Sequence, residues 1–157
     1  MFKNQVVKNV LFALAVAVFG FVLLDLAFIL DFLFQSVVIW FVKLFTADNP
    51  PMDWPWFAPV MHALFMVLIG FLSWFVFRLK LGVFYKAIYL TVPLAVVFAT
   101  IGIALYRWPL LSYSLGGLVS IGILYCFYRT KQSWIYYYVV ILVSLILAIF
   151  SLLGGEI

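Results

Sequence analysis

Five apolar stretches, most of them about as long as a membrane-crossing helix, limit what this chain can become. The punctuation between them is plain. "TADNPPMDWPW" at 46–56 is the one long polar loop, and "RLKLG" at 78–82, "YRWP" at 106–109 and "RTKQSW" at 129–134 are short turns. They leave apolar segments at about 58–77, 83–105, 109–128 and 134–153, each near the roughly 20 residues that cross a hydrocarbon core as a helix. Lipid admits only helices or closed barrels, and period-two alternation of polar and apolar residues is absent. The sequence therefore predicts an all-α integral membrane protein with five transmembrane helices in one polytopic domain covering 1–157. Composition agrees: 69% of the 157 residues are hydrophobic and 9% charged, against about a quarter charged in a soluble domain. The net charge of +4 is not a nucleic-acid footprint, because the basic residues stand singly or in small groups beside apolar runs. No nucleic-acid partner is expected, and the lipid bilayer is the first expected partner.

The first run, about 9–45, is too long for one span. As a straight helix it would extend about 55 Å, well beyond a bilayer core. The sequence reading divides it into a span at 9–30 and an interfacial helix at 31–45, followed by an outer loop at 46–57. Asp31, Gln35, Ser36 and Lys43 fall within roughly 140° on a helical wheel, which suits a weakly amphipathic interfacial segment. In this reading Asp31 caps the start of the second helix. Lys3 and Lys8 ahead of "VLFALAVAVFGFVLL" resemble the start of a signal peptide, but no small-x-small cleavage site follows, so an uncleaved first span is expected. Cys126, the one cysteine, is expected as a small buried hydrophobe.

Charge sets the orientation. With the N-terminus cytoplasmic, the inside carries Lys3, Lys8, Arg78, Lys80, Lys86, Arg129 and Lys131, and the outside keeps Lys43 and Arg107. That bias is the one the positive-inside rule favours, and it places the C-terminus outside. Trp54, Trp56, Tyr106 and Trp108 mark one interfacial belt, and Tyr85, Tyr128, Trp134 and Tyr136, Tyr137 and Tyr138 mark the other. A multi-pass protein of a prokaryotic cytoplasmic (inner) membrane is the default assignment.

Small residues supply the packing signal, since lipid removes the hydrophobic drive between helices. Thr91, Ala95 and Ala99 form one stripe at i,i+4 spacing, and Ser112, Gly116 and Ser120 form another on the next span. Joined by a short turn, the two stripes are expected to face each other.

The anomaly is "FVLLDLAFILDFLF" at 21–34, an apolar run carrying Asp25 and Asp31. An ionisable group inside a span is costly and usually faces a partner or water. Asp25, Asp31, His62 and Arg107 are all expected toward the outer leaflet, and together they form the candidate binding site or ion or proton relay. Asp25 and Asp31 lie six residues apart, about 120° around a helix, so an unbroken helix aims them at different faces. A lone histidine without a second histidine or a nearby cysteine makes a poor metal site, so no metal and no cofactor are expected. The chain has no phosphate-cradling glycine loop, HExxH or GxSxG, and no catalytic residue is assigned. The sequence thus favours a non-enzymatic membrane-embedded subunit or accessory or assembly protein, associating with other membrane subunits or with itself. A small transporter or channel for protons, cations or a small ligand is the alternative. A membrane enzyme acting on a lipid-linked substrate is the third reading.

Overall fold

The computed structural model describes residues 2–45, 57–105 and 107–152. Most of the expected loop at 46–57, with Asp48, Asp53, Trp54 and Trp56, lies outside the described residues, as do Tyr106 and Glu156. The described chain is all-helical, with five helices and no strand: α1 (Phe2–Lys43), α2 (Phe57–Arg78), α3 (Val83–Ala104), α4 (Pro109–Arg129) and α5 (Trp134–Leu152). Among the described residues four, α1 to α4, are long and apolar enough to cross a membrane, while the fully described part of α5, Trp134–Ile149, is shorter.

Local chemistry sets the helix ends. Pro109 opens α4 in the first turn, where its missing N–H has no helical acceptor to lose. α4 closes with the Gln132 amide donating to the Phe127 carbonyl at 3.0 Å and the Lys131 amide to Tyr128 at 3.2 Å. This is a Schellman closure in which Lys131 takes the left-handed position, φ 51°, that glycine usually fills. Pro93 stands inside α3, where it removes one backbone donor without ending the helix.

The expected division of the first run at residue 30 is not present. α1 is one helix of 42 residues, about 63 Å long at 1.5 Å per residue. The reason is local: residues 21–45 contain no Gly, Pro or Asn to break the helix. Asp31 is accordingly no cap. It lies in the helix interior and accepts a bond from Gln35 Nε2 at 3.0 Å, an i,i+4 pair that supports continuation. Ser36 likewise returns its hydroxyl to the Phe32 carbonyl at 2.8 Å.

α3 is the centre, packing against all four other helices. α2 meets only α1 and α3, and α4 meets only α3 and α5, so the bundle is a belt of triangles sharing α3. Its main core joins α1, α3 and α5 through Val16, Ala87, Leu94, Ala95, Val139 and Val140. A second cluster joins α1, α2 and α3 through Ala27, Phe65, Ile69, Val92 and Val96. Tyr136, expected in an interfacial belt, turns into the core and packs against Phe127. Cys126, expected buried, is exposed on α4, a helix with no buried residue.

The two small-residue stripes do not face each other throughout. Thr91 abuts Gly20 of α1: its hydroxyl lies 3.3 Å from the Gly20 carbonyl, and a Cβ on Gly20 would meet Thr91 Cγ2 at 2.7 Å. Ala95 packs in the α1/α3/α5 core. Ser120 pairs with Ser144 of α5 at 3.0 Å, and Gly116 approaches α3, where an added Cβ would lie 3.9 Å from Phe98. The physical cause is volume: glycine at position 20 lets α1 come close enough to claim the small face of α3.

Gly20→Ala tests this crossing. Ala is the better helix former by about 1 kcal/mol, but overpacking against a short, branched Thr91 costs about 1–3 kcal/mol. The expected result is a lower melting temperature in detergent for Gly20→Ala and recovery in Gly20→Ala/Thr91→Ala. A single variant at least as stable as the parent would contradict the close approach.

Candidate functional site

The contact at Gly20 and Thr91 also fixes heights. α1 and α3 run parallel, with Phe12 against Phe84 and Gly20 against Thr91. Asp25 is therefore level with about Val96, roughly 12 Å from the Ala104 end of α3 at 1.5 Å per residue. Asp31 lies level with the Thr100 turn to within about 3 Å by the same count.

The faces follow from the same crossing. Val16, Gly20 and Ala27 are buried, with Leu23, Asp31 and Phe34 partly so, and they form the packing side of α1. Asp25 is exposed on the opposite side, with Leu14, Val18, Phe21, Val22, Ile29, Phe32 and Ser36 exposed around it. No described residue bonds to Asp25. The two aspartates thus divide as the helical offset requires, Asp31 inward and Asp25 outward.

Asp31 is half-satisfied. Its Oδ2 accepts from Gln35, while Oδ1 is shielded from solvent and has no hydrogen-bond partner among the described residues. His62 lies close to that height, but its bond goes elsewhere: Nε2 is 2.9 Å from Thr100 Oγ1. The Thr100 hydroxyl reaches the Val96 carbonyl at 2.6 Å and Met66 Sδ at 3.1 Å. A hydroxyl has one proton, and these acceptors claim it. His62 Nε2 is then the donor, which leaves the lone pair of the neutral ring on Nδ1. Arg107 is exposed beside the start of α4. Asp25, Asp31 and His62 are not bonded to one another, so the expected relay is not assembled by hydrogen bonds among these three.

Three features were not singled out from sequence. Thr100 is one, and the Ser73–Tyr89 contact at 3.3 Å between α2 and α3 is another. Both obey a register fixed by the short α2–α3 turn, since their partners lie about equally far from it. The third is a laterally open cavity of about 470 Å³ bounded by Phe98 of α3, Ser112, Gly116 and Ser120 of α4, and Ser144 and Ala148 of α5. The small residues Ser112, Gly116 and Ser120 of α4 line this space. No charged residue lines it.

Among the described residues, no three His, Cys, Asp or Glu side chains come together to hold a metal ion. No protein-family model, curated protein or solved structure matches the chain.

His62 is the chain's single histidine, so selective ¹⁵N-histidine labelling reports it alone. At alkaline pH the neutral ring is expected in the Nε2–H tautomer, and Thr100→Val is expected to redistribute the proton between the two nitrogens. A dominant Nδ1–H form in the parent would contradict the assigned hydrogen bond.

Proposed function

We propose that the chain is a multi-pass protein of a prokaryotic cytoplasmic membrane and serves as a non-enzymatic, membrane-embedded subunit or assembly partner of other membrane proteins. Four helices of crossing length and an apolar fifth support the insertion, and the basic residues concentrated at the α2–α3 and α4–α5 turns and before residue 9 support a cytoplasmic N-terminus. The observation that carries the functional reading is Asp25. A carboxyl group on the outward face of a helix, surrounded by Phe21, Val22, Ile29 and Phe32, would meet only hydrocarbon in a lone chain. Such a group is retained at low cost where another protein covers it. The length of α1 points the same way, since Phe32, Val37, Trp40 and Phe41 stay exposed far along a helix twice as long as a bilayer core is thick.

Extraction of the native membrane in a mild detergent tests this. The protein component of the particle is expected to exceed the 18.0 kDa of one chain by native mass spectrometry. A solitary 18.0 kDa protein component would contradict the reading.

A second reading, passage of protons or a cation, is favoured by the unbonded, shielded Oδ1 of Asp31 at about the height of His62. Under it, flux into liposomes holding the purified chain is abolished by Asp31→Asn, and unchanged flux in that variant removes the assignment.

A further inference from the structure

We infer that the outward face of α1 receives a different protein: a membrane-spanning helix that carries a lysine or arginine at the depth of Asp25. This rests on the embedded-subunit reading above and names the chemistry of the partner. The face is a continuous strip, because Leu14, Val18, Phe21, Asp25, Ile29 and Phe32 fall within about 40° of one meridian at 100° per residue. All six are exposed, and Asp25 is the only ionisable group among them. The strip is turned away from the Val16–Gly20–Ala27 side, so no described helix of this chain covers it.

Charge complementarity decides between a second copy and another protein. Every lysine and arginine of the chain stands at or near a helix end: Lys3 and Lys8 at the start of α1, Lys43 at its end, Arg78, Lys80 and Lys86 around the α2–α3 turn, Arg107 before α4, Arg129 at its end and Lys131 after it. On α1 itself the nearest cations, Lys8 and Lys43, are about 26 Å and 27 Å from Asp25 along the axis. Arg107 lies beyond the end of α3, about 15 Å above the height of Asp25. Inverting a second copy brings Lys86 nearest, about 8 Å from Asp25 along the membrane normal by the same count, but that ammonium already donates to the Phe77 carbonyl at 2.8 Å. A two-fold pair of copies along this strip would set one carboxyl group against another in lipid, and one of the two must first take up a proton before they can share it. A second copy therefore cannot set an unengaged cation at the depth of Asp25. A foreign span with its own basic residue can, and within lipid a charge-assisted pair of this kind also fixes depth and rotation.

The test places a photo-crosslinking amino acid at Phe21, and separately at Phe32, of the full-length chain in its native membrane. The adduct is then identified by mass spectrometry. The expected product joins this chain to a different protein, at an apolar span containing Lys or Arg. Asp25→Lys is expected to lower its yield about tenfold, in the upper range for interhelical polar contacts, and reversal of the partner's cation to Glu is expected to restore it. Asp25 is exposed and bonds to no described residue, so Asp25→Lys and Asp25→Asn are expected to retain the parent's melting behaviour in detergent. An adduct of two copies of this chain, a captured span without Lys or Arg, or a yield indifferent to Asp25→Lys would each overturn the inference while leaving the subunit reading in place. No adduct from either position would overturn both.

Discussion

The bundle depends on the place where α1 meets α3. Gly20 and Thr91 approach until one added carbon would collide, and this contact fixes both the height and the rotation of a 42-residue helix. The consequences spread in both directions along α1. Val16 and Ala27 enter the two apolar clusters, Asp31 comes to the packing side, and Asp25 is left outside. Where lipid surrounds a bundle, apolar area gives little preference for protein over solvent, so close approach and interhelical hydrogen bonds decide which faces meet. The hydroxyls of Thr91, Thr100, Ser73 and Ser120 serve that purpose here, each also returning a bond within or near its own helical turn or reaching a neighbouring helix.

Much of the helical layout was legible because it rests on local chemistry. The turns at 78–82 and 129–134 and Pro109 divide α2 to α5 within a few residues of where the helices begin and end. The division expected in α1 is absent for a physical reason. Bilayer thickness limits how much helix lipid can hold, whereas continuity is decided residue by residue, and nothing between Phe21 and Lys43 favours a turn. The 120° offset of Asp25 and Asp31 was computable at once, but its outcome needed Gly20, a single glycine whose importance lies in the residue opposite it. The α4 stripe failed differently. Ser112, Gly116 and Ser120 have the spacing of a packing motif, yet small residues permit contact without enforcing it, and on α4 they border an open cavity. His62 with Thr100 is legible from the short α2–α3 turn, which pairs residues equidistant from it.

The polar side chains of Asp31 on α1 and His62 on α2 bond within the bundle. His62 bonds Thr100, Asp31 bonds Gln35, and no nucleophile, base and orienting group converge among the described residues. What remains unexplained by the bundle itself is on its outside: Asp25, the long apolar flank of α1, and an α4 with no buried residue. These are the surfaces on which a role as one part of a larger membrane assembly would act.

The central claim is that α1 is one unbroken helix with Asp25 facing away from the bundle. A nitroxide scan of the purified chain in bilayers, covering positions 12–40 in a Cys126→Ser background, tests it most directly through oxygen accessibility. The account predicts a single sinusoid of period near 3.6 residues through position 31 and beyond, with maxima along Leu14, Val18, Asp25 and Phe32 and minima at Val16, Gly20 and Ala27. A phase break near residue 30, or a minimum at Asp25, would contradict it.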